Sequence, residues 1–144
     1  MTPQSDNENC LHLVHQNIQG MIGKELEIEL FLNSNNIHIL CITEHWLKAY
    51  NLMFNFSNHQ VVSSFNRETV LRGGSLILAS KLLSCKERKD IVSLSVERTV
   101  EMACVEFEYL IVVSVYRPPC SIYDTFEKNM EEVFAKLINI INLL

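Results

Sequence analysis

Apolar residues come in short blocks along this chain, separated by polar and glycine-bearing breaks. Residues 1 to 10 are polar and read as a loose tail, leaving 11 to 144 as one domain. Leu11 to Ile18 (LHLVHQNI) has the apolar and branched content of a strand, and Gly20 and Gly23 punctuate its end. In Lys24 to Asn33 (KELEIELFLN), the apolar positions Leu26, Ile28, Leu30, Phe31 and Leu32 fit a helical and a strand period almost equally. The Glu and Leu content favours a helix, and Asn33, Asn35 and Asn36 supply its stop. Ile37 to Thr43 (IHILCIT) is apolar on both faces, the pattern of a buried parallel strand. Strand, helix and strand make a βαβ unit, whose right-handed crossover sets the two strands side by side and parallel.

His59 to Phe65 reads as a further strand, and polar Asn66 to Arg72 leads through Gly73 and Gly74 into the strand Ser75 to Ser80 (SLILAS). Lys81 to Asp90 is charged and irregular and predicts an exposed loop. Thr99 to Phe107 and Leu110 to Tyr116, separated by Glu108 and Tyr109, predict a β-hairpin. Pro118 forces Arg117 out of the helical region and Pro119 removes a second donor, so this strand stops with Tyr116 and Arg117 at its rim. In the last segment Phe126, Met130, Val133, Phe134, Leu137, Ile138, Ile141 and Leu144 recur at helical spacing. They predict one helix with one apolar stripe, capped by Ser121 or Asp124.

Composition narrows the classes. With 144 residues, 48% of them hydrophobic, the chain is the size of one packed domain. The net charge of -5 provides no global basic field for nucleic acid, so a role on DNA needs a local basic patch. No apolar run approaches the roughly 18 residues of a membrane span. The opening MTPQSDNEN lacks the basic and apolar regions of a signal peptide, so the expected location is intracellular, nucleus or cytoplasm. The cysteines at 10, 41, 85, 104 and 120 are widely spaced and form no Cys-x-x-Cys pair, against a zinc site or disulfide frame.

Candidate chemistry follows from the βαβ unit. Asn17 lies at the carboxyl end of its first strand and Glu44 at the carboxyl end of its second, where open α/β sheets keep their ligand crevices. Alone, Asn17 reads as a turn former beside Gly20, and Glu44 as an exposed strand end. Together they suit Mg²⁺, which accepts one or two carboxylates and keeps waters and phosphate oxygens for the rest of its shell.

The words HQNIQGM, ICITEHWL, RGGSLILAS and VVSVYRPPCS, in this order and spacing, resemble the endonuclease/exonuclease/phosphatase superfamily. The resemblance is closest to the apurinic-endonuclease-like domain carried, with a reverse transcriptase, by non-LTR retrotransposons. It implies an α/β fold, a partial two-sheet sandwich in which a mixed sheet and flanking helices take part. It also implies a Mg²⁺-dependent phosphodiesterase or DNA endonuclease. Asn17 is similar to that family's active-site asparagine near the metal, Glu44 to its metal-binding glutamate, and Tyr116 to the tyrosine at the scissile phosphate. Arg117 adds a positive charge for that phosphate, and Gly73-Gly74 matches a glycine pair before a central strand.

The departures are as informative. The family's GDFN and SDH words, which supply a catalytic aspartate, asparagine and histidine, occur nowhere in the sequence. Histidines 12, 15, 38, 45 and 59 stand in other words, and His45, adjacent to Glu44, points to the opposite face of a continuing strand. The resemblance therefore covers the N-terminal part of the domain, and its implied activity is lost in this chain. Most of the second sheet is expected to be missing, leaving an apolar sheet face exposed or self-paired. The alternative function is a non-enzymatic interaction protein that binds a partner, or a second copy, through that face or the last helix. A phosphoester such as an inositol phosphate is a weaker third substrate class.

Overall fold

The structure, a computed structural model, describes residues 10–141. β1 (Leu13–Asn17) runs into α1 (Glu25–Ser34) and the chain returns as β2 (Ile39–Thr43). After a 3-10 turn at Ala49–Asn51 come β3 (His59–Phe65), β4 (Ser75–Ser80), β5 (Cys85–Glu87) and the short α2 (Lys89–Val92). The hairpin β6 (Glu101–Phe107) and β7 (Ile111–Tyr116) then leads to α3 (Tyr123–Ile141). β1 and β2 pair in parallel, from Leu13 opposite Ile39 to Asn17 opposite Thr43, as a βαβ unit requires. β4 pairs antiparallel with both β2 and β3, giving a mixed sheet of order β1-β2-β4-β3; the second sheet, β5-β6-β7, is antiparallel.

Strand alternation turns these sheets into four layers. Between the sheets, Ile39, Cys41 and Ile77 of the first meet Ala103, Val105 and Val112 of the second. On the outer face of the first sheet, Leu40, Ile42, Leu76 and Leu78 pack with Met21, Ile28, Leu32, Leu47 and Phe56 under α1. On the outer face of the second, Met102 and Cys104 pack with Ile91 and with Phe126, Met130, Val133 and Leu137 of α3. β2 and β4 are buried along their whole length because both their faces are covered. Each fully buried aliphatic side chain contributes roughly 1.5–3 kcal/mol.

Four expectations change. Lys81 to Asp90 is not a plain loop: Cys85–Glu87 pairs with β6, and Lys89 begins α2, because Ile91 anchors the segment in the outer core. The second sheet contributes three strands, and these cover β2, β4 and β3. What stays open is the inner face of β1, where Leu13, His15 and Asn17 are exposed. The stripe of α3 is likewise mostly used, with Phe134 and Ile138 left outward; Leu144 and the side chain of Ile141 lie outside the described residues. Ser121 does not start the helix, which begins at Tyr123; its hydroxyl accepts a hydrogen bond from Arg117 Nε at 3.0 Å.

Along the inter-sheet space the core grades from apolar to charged. The Ser75 hydroxyl donates to the Ser114 carbonyl at 2.8 Å. Beyond it, Arg67 Nε meets Glu101 Oε1 at 2.6 Å, and both side chains are buried. Glu101 also accepts the backbone N–H of Gly74 at 2.5 Å and of Arg98 at 2.9 Å, so one carboxylate joins β4, β6 and the loop that follows β3. Removing one member of a buried ion pair costs about 3–5 kcal/mol, because the other is left uncompensated. Arg67→Leu is therefore expected to lower the urea-unfolding free energy by about that amount, and Arg67→Leu with Glu101→Leu to recover part of it.

Candidate active site

Glu44 follows the last residue of β2, at the point where the chain leaves the sheet. Its backbone is clamped from both sides. Glu44 N donates to Gly74 O at 2.9 Å and Trp46 N to Gly73 O at 3.0 Å. From the β1 side, Gly20 N donates to Glu44 O at 2.8 Å and Met21 N to His45 O at 3.0 Å. The clamp holds Glu44 at φ 55° and Trp46 at φ 61°, left-handed values that side-chain-bearing residues seldom adopt. Gly20, at φ 99°, lies under the indole, and a Cβ there would sit 2.8 Å from Trp46 Cε3.

The carboxylate is held as firmly as its backbone. Asn17 Nδ2 donates to Glu44 Oε1 at 2.8 Å, so the two adjacent strand ends meet as the topology predicts. Trp46 Nε1 donates to Oε2 at 3.4 Å, and the Tyr116 hydroxyl is near enough to influence the same carboxylate. Burial pushes the Glu44 pKa up, but the donors Asn17, Tyr116 and Trp46 and the charge of Arg67 outweigh it and hold the group below the usual carboxylate value. Burial, and then the bond and charge of Glu44, push Tyr116 up to about 12, so the phenol keeps its proton and remains a donor at neutral pH.

Glu44 and Tyr116 open onto a groove of about 610 Å³ that Arg67, Arg72 and Arg98 also line. Its wall from 67 to 70 is fixed at two levels. Lys48 Nζ donates to the carbonyls of Arg67, Glu68 and Val70, and the Glu97 carboxylate accepts the N–H groups of Glu68, Thr69 and Val70. Arg117 is elsewhere. It lies over the rings of Tyr123 and Phe126, at 5.2 and 5.4 Å, because successive strand residues point to opposite faces and Tyr116 takes the inner one. The structure thus brings Asn17, Glu44 and Tyr116 together and leaves Arg117 on the α3 side.

Sequence reasoning missed Arg67, Arg72, Arg98 and the two anchors Lys48 and Glu101. One signal was available for Glu101: it has the inward parity of Ala103 and Val105 on a strand, so a carboxylate there needs a buried cation. His45 is buried and pressed against Gly74. Its Nδ1 accepts from Leu47 N at 2.9 Å, leaving Nε2–H to donate to Phe65 O at 2.8 Å. It packs away from Glu44 and serves the clamp.

No group of three or more His, Cys, Asp or Glu side chains converges among the described residues. The groove nevertheless offers one ionised carboxylate with lone pairs beyond those used by Asn17, Trp46 and Tyr116, in a partly exposed position. That fits Mg²⁺, which keeps most of its waters, and not zinc, which takes several protein ligands.

No family model matches the sequence, and no curated protein matches it. Comparison of folds is more telling: the two-sheet α/β architecture is shared with a solved endonuclease domain. A solved structure that the chain resembles is the endonuclease domain of TRAS1, a telomere-specific non-LTR retrotransposon. The match has a TM-score of 0.60 at 12% identity, covers 85% of this chain, and spans about half, 53%, of that domain.

His45 supplies a test of the clamp. Its burial, opposed by the bond to the Phe65 carbonyl, lowers its pKa below the ordinary 6.5. The unfolded chain then binds a proton that the folded one refuses, so stability falls as pH drops below about 6.5 toward the folded-state value. Thermal unfolding across this range is expected to show that fall in the native protein and a smaller one in His45→Gln.

Proposed function

We propose that this chain carries a Mg²⁺-dependent phosphodiesterase site of the DNA-endonuclease type. The observation that carries the reading is the Glu44 carboxylate, held by Asn17 and Trp46 beside Tyr116 at the rim of an arginine-lined groove. It is supported by the likeness in fold to the TRAS1 endonuclease domain. Glu44 is the residue that would hold the cation, with Asn17 fixing its orientation. Bound there, Mg²⁺ would supply positive charge for the developing phosphoryl oxygens. Tyr116, protonated at neutral pH, would offer its hydroxyl as a donor at the same place. An intracellular location, nucleus or cytoplasm, goes with this reading.

The 144 residues contain no GDFN or SDH word. The resemblance therefore supplies no general base for water from these residues, help that is worth about 10²- to 10⁴-fold in rate. The reading is therefore of a site that binds metal and phosphodiester and turns over slowly or not at all when given only these residues.

A second reading, self-association, is favoured by the open inner face of β1 and by Phe134 and Ile138. The packing restricts its form. β7 already lies over β2 and β4, so pairing two copies through β7 would drive β2 of one into β1 of the other. Pairing through the β1 edges meets no such clash.

Nicking of supercoiled plasmid with Mg²⁺, beside Glu44→Ala and a chelator control, tests the first reading. The expected result is weak nicking or none, with any activity abolished by Glu44→Ala or by chelation. Nicking that survives Glu44→Ala contradicts it. Light scattering on the same samples decides the second reading, which a monomer at every concentration removes.

A further inference from the structure

We propose that Arg72 and Arg98 form a phosphate-binding edge that holds the backbone of a DNA strand beside the phosphate at Glu44. The inference rests on reading this site as one for DNA, and it answers the objection raised by a net charge of -5. The arginines are at 67, 72, 88, 98 and 117, and three of them line the groove with Glu44 and Tyr116. The other two are engaged elsewhere, Arg88 with Asp90 and Glu106, and Arg117 with Ser121 and two aromatic rings.

Within the groove the three differ. Arg67 is buried and neutralised by Glu101. Arg72 and Arg98 are exposed, and neither has a carboxylate partner among the described residues. Glu97 lines the same groove but forms no ion pair with them, since its oxygens accept the backbone N–H groups of residues 68 to 70. Arg72 lies 5.2 Å over the Trp46 ring, an arrangement that settles a planar guanidinium and leaves its N–H groups for a phosphate.

Their backbones are equally specific. Arg72 has φ 72° and Arg98 φ 67°, the left-handed region where glycine is at ease and arginine is not. The fold holds both in place: Arg72 precedes the Gly73-Gly74 pair, and Arg98 N donates to the buried Glu101. Arginine at two strained positions facing one groove is a cost to folding that a phosphate ligand explains. Paired charge-assisted contacts to a polyphosphate backbone are what this fork geometry suits.

The strain also supplies a clean test, because glycine fits both backbones. Anisotropy of a short fluorescein-labelled duplex is measured against salt with the full chain in EDTA, which removes any metal contribution. Arg72→Gly and Arg98→Gly are each expected to weaken binding and to reduce the slope of log affinity on log salt by about 1, with no fall in thermal midpoint. Lys86→Ala with Lys89→Ala, on the opposite edge of the second sheet, is the control for lost charge. The proposal is overturned if the native chain does not bind, if the double glycine variant keeps native affinity and slope, or if the lysine variant does equal damage. Failure of the nuclease reading is separate: it appears as nicking that ignores Glu44→Ala, while arginine-dependent binding stands.

Discussion

The buried pair of Arg67 and Glu101 is the constraint on which the site end of this fold depends. Glu101 opens β6 and faces inward, where a buried carboxylate is costly unless it is paired and hydrogen-bonded. Arg67 reaches it only by passing against Gly73, where any Cβ would collide with the guanidinium; at Gly74 a Cβ would strike the His45 ring. The glycine pair is thus set by close approach as well as by its positive φ. From this one carboxylate the geometry propagates. Gly74 donates its N–H to Glu101 and offers its carbonyl to Glu44, while Tyr116 stands opposite Glu101 in the β6–β7 register. Metal candidate and phenol are located by the same buried charge.

The rim built on that pair is strained. Glu44, Trp46, Arg72 and Arg98 all hold positive φ, a conformation that costs roughly 1–2 kcal/mol for a residue with a Cβ. The three apolar layers offset it, with β2 and β4 buried from end to end. Such strain gathers where a chain must present groups in a fixed array, and here the strained residues present the Glu44 carboxylate and the Arg72 and Arg98 guanidinium groups to one groove. Arg67 links rim to chemistry, since its charge helps keep Glu44 ionised.

Much of this was readable from residue order. β2 announces itself as apolar on both faces and β4 as a strand, and the Asn17 to Glu44 contact follows from parallel strands whose carboxyl ends coincide. The helix at 25–34 resolved a real ambiguity of period, settled by packing of Ile28 and Leu32. Arg117 was misread because two proline-flanked neighbours look equivalent in sequence although strand alternation separates them. The Arg67–Glu101 pair spans 34 positions, so no local pattern exposes it. β5 and α2 were hidden by charge: one buried side chain, Ile91, secures a segment otherwise rich in Lys, Arg and Asp. The likeness to the TRAS1 domain lies in the fold, and 12% identity explains why short words carried the resemblance.

The central claim is that Glu44 is the ligand of a divalent cation at this rim. Mn²⁺ broadens the NMR signals of nuclei near it, and titrating it into the amide-labelled chain measures the claim directly. The account predicts early and selective loss of the Asn17, Glu44, Trp46 and Tyr116 amide signals, absent in Glu44→Gln. Broadening centred on another acidic surface, such as Glu127 to Glu132 of α3, or broadening unchanged in Glu44→Gln, contradicts it.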